Sequence, residues 1–217
     1  MNCLVIAATT AEITPFLEHY RDPNTQWANN IEIDVLITGI GLTSTTYSVT
    51  RQLHIKRPDV VVQAGIAGCY HKNVKLGSVV AVKREIIADQ CVIENGELKT
   101  MMDLKLMKPN QFPYTKGWLV NKNDVLNETN ARKVKAISIN EITTSKRMIG
   151  LYSEKFNPAI ESMEGAALHY ACLREDIPFL QLRGVSNYIG ERNKKKWNMK
   201  ESIINLNNEL IRLLQNL

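Results

Sequence analysis

Short apolar runs alternate with stretches of helical period along the chain, which predicts strands and helices taken in turn. Asn2 to Ala8 reads as a buried strand, and Thr9-Thr-Ala-Glu12 leads into a helix to about Tyr20 with Thr10 as its cap. Residues 22 to 30 are polar and turn-like. Ile31 to Thr38 alternates and then becomes apolar; Gly39-Ile-Gly41 follows and leads to an amphipathic helix from about Thr43 to His54. Asp59 to Ala64 is the next buried strand and ends in Gly65-Ile-Ala-Gly68, a second small-residue turn that permits close backbone approach. Leu76 to Val82 and Arg84 to Asp89 read as two strands, and Cys91 to Leu98 as a hairpin turning on Asn95-Gly96. Thr100 to Tyr114, which holds Pro109 and Pro113, keeps neither period and reads as a loop long enough to be a lid.

The alternation continues with strands at Trp118 to Asn121 and Lys135 to Ile139, and with Thr143-Thr-Ser145 capping a helix to about Phe156. Ala159 to Met163 is a short strand, Gly165 opens a helix through Leu173, and Pro178 to Arg183 is a strand ending in Gly184-Val-Ser-Asn187. Asn198 with Glu201 begins the last helix like a capping box. Its stripe of Met199, Ile203, Leu206, Leu210 and Leu213/Leu214 reads as a packing face. No repeat or linker interrupts the pattern, so the 217 residues are expected to form a single α/β domain with helices layered on a sheet.

Two polar clusters fall at strand ends, where an open α/β sheet places small-molecule sites: Glu161-Ser-Met-Glu-Gly165, and the stretch from Arg183 to Asn187. Glu12 lies near a helix start, where the dipole favours any carboxylate, so position alone leaves a surface role and a functional one equally open. Asn187 has a plain alternative as well, capping the turn after its strand. Gly39-Ile-Gly41 lacks the third glycine of a dinucleotide fingerprint, Ser44 standing there instead, and no cofactor is expected.

Composition narrows the picture further. Hydrophobic content of 44% and charged content of 23% are ordinary for a soluble globular chain. A net charge of +5 tolerates an anionic ligand, but the one dense basic run, Arg192 to Lys196, reads first as a solvated loop, and no nucleic-acid partner is expected. Cys3, Cys69, Cys91 and Cys172 show no CxxC spacing and read as reduced and structural. His19, His54, His71 and His169 share no ligand spacing, so no metal is expected. No apolar run approaches the roughly 18 residues of a membrane span, and the first strand begins without a leader-like basic segment, so a cytoplasmic protein without a membrane partner is expected.

Thr38-Gly-Ile-Gly41, Gly65-Ile-Ala-Gly68, Leu76-Gly-Ser-Val-Val-Ala81, Ser162-Met-Glu-Gly-Ala166 and Pro178-Phe to Arg183-Gly-Val-Ser-Asn187 stand in a definite order and spacing. Together they resemble the nucleoside phosphorylase/nucleosidase superfamily over nearly the whole chain. Within it, Arg183-Gly-Val-Ser-Asn-Tyr-Ile-Gly-Glu-Arg-Asn193 followed by Trp197 is most similar to the futalosine hydrolase branch of menaquinone biosynthesis, which cleaves futalosine to hypoxanthine and dehypoxanthine futalosine. The resemblance implies a three-layer α/β/α sandwich around a mixed sheet, in a homodimer or higher homo-oligomer whose neighbour helps to close the pocket. It implies Glu12 as the water-activating carboxylate, Met163 and Glu164 as the pair that holds the ribose, and Asn187 at the base. Arg183 would be a structural or supporting arginine of the substrate site, and Ala67 and Gly68 a backbone stretch beside the base. Two departures stand out. The family's serine in the second glycine loop is Ile66 here, and its ring-stacking aromatic near 140 to 144 is missing, leaving Ile142, with Phe112 or Tyr114, to face the base.

These residue types suit cleavage of a purine N-glycosidic bond, which builds positive charge on the sugar and negative charge on the base. A carboxylate under the ring favours that state and takes a proton from water, while a donor at the base stabilises the departing nitrogen. An ionised Glu164 can accept from both the 2′ and 3′ hydroxyls. The related adenine nucleosidases carry Asp where Asn187 stands; an amide donates to O6 or N7 and so suits a 6-oxopurine. Neither glycine segment has a nearby arginine for phosphate except Arg51, one helix away, which favours water over phosphate as nucleophile. The alternatives are a 6-oxopurine phosphorylase, an adenine nucleosidase of the methylthioadenosine type, and a non-catalytic nucleoside-binding module.

Overall fold

The computed structural model describes residues 1–25, 27 and 31–217; the polar stretch 22 to 30 therefore lies partly, at 26 and 28–30, outside the described residues. A mixed sheet organises the chain. Its parallel side is β1 (Asn2–Ala7) between β2 (Glu32–Ile37) and β3 (Val60–Cys69). From Cys3 onward β1 is buried, as a parallel strand covered on both faces must be. β3 continues past β1 to pair in parallel with β11 (Phe179–Tyr188), and its end meets β10 (Ile160–Ser162) antiparallel. β10 runs beside β9 (Arg132–Ser138), β9 beside β4 (Val79–Ile87), and β4 returns antiparallel to β11. These five strands close into a ring, and Ala67, Cys69, Val80, Val82, Val134, Ala136, Ile160 and Val185 from them pack as one apolar cluster. β8 (Trp118–Val120) and β7 (Tyr114–Thr115) extend the sheet beyond β4. β5 (Cys91–Glu94) and β6 (Glu97–Thr100) form the separate hairpin expected, with Asn95 and Gly96 at φ 52° and 86° in its turn.

Helices cover both faces of β1. On one, Phe16 of α1 (Thr14–Arg21) and Leu206, Leu210 and Leu213 of α5 (Met199–Leu214) pack on Cys3, Val5 and Ala7. On the other, Val49 and Leu53 of α2 (Leu42–Ile55) and Leu168 and Ala171 of α4 (Gly165–Arg174) pack on Leu4 and Ile6. Each such buried aliphatic side chain contributes about 1.5–3 kcal/mol relative to exposure. α3 (Lys146–Phe156) seats Tyr152 and Phe156 against Ile137, Ile139 and Leu98 beside the hairpin.

Four local expectations are corrected. Gly65 to Gly68 is not a turn but continues its strand, and the strand expected to end in Gly184 to Asn187 runs on through Tyr188, because β3 and β11 pair with each other along this stretch. Leu76 to Val82 and Arg84 to Asp89 are not two strands but the single β4, with a register shift between Val82 and Arg84 that accommodates Lys83 as an extra residue. The first helix is split. Thr9 caps a 3-10 turn over Thr10–Glu12, and α1 starts afresh at Thr14 with Pro15 in its first turn, where the missing N–H costs nothing. The loop from Thr100 to Tyr114 is irregular as read, but none of it reaches the cavity described next.

Candidate active site

Glu12, at the end of the 3-10 turn, has both carboxylate oxygens held by backbone. Oε2 accepts from the Thr9 N–H at 3.1 Å, and Oε1 accepts from the Ile66 N–H at 3.0 Å. The serine absent at position 66 is thus not needed to orient this group, since the main chain does so. Burial pushes the Glu12 carboxyl above its ordinary range; the Arg183 guanidinium and the two N–H donors oppose that shift, and the negative charge of Glu164 adds to it.

Glu164 stands at the start of α4. Its Oε1 accepts from the Gly41 N–H at 3.2 Å, and its Oε2 lies 3.3 Å from Arg183 Nη1. Gly41 has φ +91°, a conformation that glycine adopts freely and that aims its N–H at the carboxylate. Arg183, 1% exposed, also donates from Nη2 to Gln63 Oε1 at 2.9 Å. Its guanidinium lies across Gly65, where a Cβ would stand 2.3 Å from Nη1. The small residue read as permitting approach of a ligand permits approach of this arginine.

Asn187 follows an irregularity in the β3–β11 register: Val185 pairs with Ala67 and Asn187 with Gly68, leaving Ser186 as the extra residue. Such a bulge re-aims the next side chain. The amide Oδ1 accepts from the Ser186 hydroxyl at 2.9 Å and Nδ2 donates to the Tyr188 carbonyl at 3.1 Å. A primary amide has two donors and two acceptor lone pairs, so each end retains one for a ligand.

All three side chains line one cavity of about 310 Å³. Met163, Ala67, Gly68 and Ile142 line it too; Arg183, also expected at the substrate, lies behind the wall and reaches the cavity through Glu164. Phe112 and Tyr114 are elsewhere: Phe112 is exposed, and Tyr114 packs with Leu42 and Leu119. Residues not anticipated at the substrate also line it, among them Glu161, Ile40, Arg192, Trp197, Met199 and Ile203. Met199 and Ile203 belong to the stripe read as pure packing; a 3.6 period marks an apolar face without saying whether protein or ligand covers it. Trp197 is the aromatic among the lining residues, its Nε1–H donating to the Glu191 carbonyl at 2.9 Å, with the Arg192 guanidinium 5.7 Å from its ring centre. Among the described residues there is no cluster of metal-ligating side chains, and no helix is long and apolar enough to cross a membrane.

Fold and site define an α/β enzyme with three carboxylates, those of Glu12, Glu161 and Glu164, and a carboxamide around a small-molecule cavity. The family model described as "Phosphorylase superfamily" matches residues 4–216, and the chain belongs to that superfamily. It is similar to the futalosine hydrolase of Thermus thermophilus, 25% identical over 182 residues, which span 82% of this chain and 80% of that protein. It is also similar to the 5′-methylthioadenosine/S-adenosylhomocysteine nucleosidase of Maridesulfovibrio salexigens, 21% identical over 206 residues, spanning 88% and 87%. The solved futalosine hydrolase of Helicobacter pylori has the same fold, with a TM-score of 0.81 at 17% identity over 100% of this chain and 98% of that one. The expectation of an enzyme related to the N-glycosyl hydrolases is met, and the relatives divide between the two substrates.

Proposed function

We propose that this protein is a nucleoside N-ribosyl hydrolase that acts on futalosine, releasing hypoxanthine and dehypoxanthine futalosine. The observation that carries the reading is that the Asn187 amide faces the cavity that also holds Glu12 and Glu164. In this reading Glu164, its Oε2 anchored by Arg183, accepts from the ribose hydroxyls, and those bonds strengthen as the ring gains positive charge. Glu12, buried and fixed by two N–H donors, takes a proton from water as it adds at the anomeric carbon. Asn187 keeps an N–H for O6 or N7 of the leaving purine, and Trp197 supplies the ring face that Ile142 does not.

Water rather than phosphate is the nucleophile on the same grounds. The basic side chain among the described lining residues is Arg192, on the β11 side with Asn187; the Arg183 guanidinium is committed to Glu164 and Gln63. The exposed apolar side chains Ile37, Ile40 and Tyr47, with Ile40 also lining the cavity, support a second copy of the chain as partner in a homodimer or higher homo-oligomer. A cytoplasmic setting belongs to the same proposal. The adenine nucleosidase reading is favoured by the Maridesulfovibrio relative and is separated by base choice. Chromatography of products from futalosine, with and without phosphate, tests the reaction. Hypoxanthine released without phosphate supports the hydrolase; a phosphate requirement, or faster release of adenine from methylthioadenosine, overturns it.

A further inference from the structure

β10 joins two cavities. Ser162 at its end lines the site described above, while Ala159, just before its start, lines a second cavity of about 300 Å³. Five permanent cations surround that second cavity, Lys83 and Arg84 of β4 and Arg132, Lys133 and Lys135 of β9, with His71 beside them. No carboxylate is among its described lining residues, and none of the five makes an ion pair among the described residues.

The cluster is built rather than diffuse. The irregularity at Lys83 turns two consecutive basic side chains to solvent in the middle of a strand whose neighbours Val82 and Glu85 are buried. Two of the ammonium groups are tethered by main-chain carbonyls: Lys133 Nζ donates to Thr129 O at 2.6 Å, and Lys135 Nζ to Phe156 O at 3.1 Å. Each keeps two N–H donors for a ligand. Like charges held together repel, and a bound anion relieves that repulsion. A monophosphate leaves most of five charges unbalanced, whereas two arginines and three lysines match several phosphoryl groups, the guanidinium forks engaging oxygens in pairs. A concave site of this volume fits a small molecule, while nucleic acid needs an extended basic face.

We infer that this cavity binds an oligophosphate, a chain of two or three phosphoryl groups carried inorganically or on a nucleotide. The site is separate from the nucleosidase cavity, and the inference does not depend on which nucleoside is cleaved there.

Calorimetric titration of the full chain with tripolyphosphate and with ATP tests it, with adenosine as the phosphate-free competitor. Tripolyphosphate binds, more weakly at high salt, and adenosine does not displace it; tighter binding of ATP identifies a nucleotide as the source, and equal binding the inorganic chain. Arg84→Ser/Arg132→Ser weakens binding by about tenfold or more. Arg84→Lys/Arg132→Lys recovers part of it, and Lys194→Ser/Lys195→Ser, which removes the same charge from the exposed turn before Trp197, leaves it unchanged. Both arginines are exposed, and an unaltered melting temperature checks that their variants fold. Absence of tripolyphosphate binding, equal weakening in the two serine pairs, or displacement by a single-stranded oligonucleotide that binds far more tightly overturns the inference.

Discussion

Arg183 Nη1 lies 3.3 Å from Glu164 Oε2 with both side chains sealed from solvent, at 1% and 7% exposure. In the proposed reaction a guanidinium held this way is a structural part of the ribose site: it balances the charge that Glu164 brings into the interior and fixes the position of its carboxylate. Removing one partner of a buried pair strands the other. Arg183→Met is therefore expected to cost about 3–5 kcal/mol in chemical denaturation. Glu164→Ala strands the Arg183 guanidinium in the same way, and in the protein that remains folded it should also raise KM and lower kcat together, because the hydroxyl contacts are lost in both ground and transition states. Unchanged kinetics in Glu164→Ala would show that the ribose is held by other groups.

In the proposed reaction Glu12 acts as the ionised base. Glu12→Gln keeps the size of the side chain and an acceptor oxygen but not the proton acceptor, and kcat should fall by about 10²–10⁴-fold with product binding nearly intact. Because burial raises the Glu12 carboxyl, the ionised form is lost at a higher pH than for an ordinary glutamate. The rate should thus decline as pH falls, with its midpoint above the usual 4.5, and this acid limb should be missing from the residual activity of the variant. Steady-state rates across pH, with binding of hypoxanthine measured alongside, decide the point.

Asn187→Asp exchanges an amide that donates and accepts for a carboxyl that donates only when protonated. Preference should move from futalosine toward its 6-amino analogue and methylthioadenosine, read as the ratio of kcat/KM values. Because a buried polar group left unpaired is what rejects a substrate, a change of about 10²-fold or more is expected. A ratio that does not move would remove Asn187 from base selection.

Trp197 tests the base-stacking role. Loss of an aromatic stacking surface costs about 1–3 kcal/mol per base, so Trp197→Ala should raise KM about tenfold or more, with Trp197→Phe recovering most of it. If the variant with alanine binds substrate normally, the purine does not lie against this ring.

Much of this arrangement was legible in the sequence because local chemistry and global fold agreed. The apolar run at Leu4, the Asn95-Gly96 turn and the helix opening at Gly165 each carry a short-range signal that tertiary context did not override. Gly65 to Gly68 misled because glycine in a strand looks like a turn until its partner is known, and that partner is the side chain of Arg183, 118 positions away. The bulge at Ser186 was equally invisible, since it arises from the pairing of β11 with β3 and not from its own residues. Met199 and Ile203 carried the right period but no mark to separate a ligand-facing turn of α5 from its core-facing remainder.

The last prediction concerns Glu85, buried beneath the start of α4. Its Oε1 accepts from the Ser138 hydroxyl at 3.2 Å, and Ser138 Oγ in turn accepts from the Ala166 N–H at 2.8 Å. Burial raises the Glu85 carboxyl from 4.5 to about 7, against the opposing pull of the Arg183 charge. A carboxyl whose folded value exceeds its unfolded one favours the native state while protonated, and that contribution is lost as pH rises from about 4.5 through about 7. Glu85→Gln keeps the hydrogen-bond acceptor without the titration. Its melting temperature should match the parent near pH 4 and exceed it at pH 8, and a variant less stable than the parent at pH 8 would show that the ionised Glu85 is a needed partner of Arg183 instead.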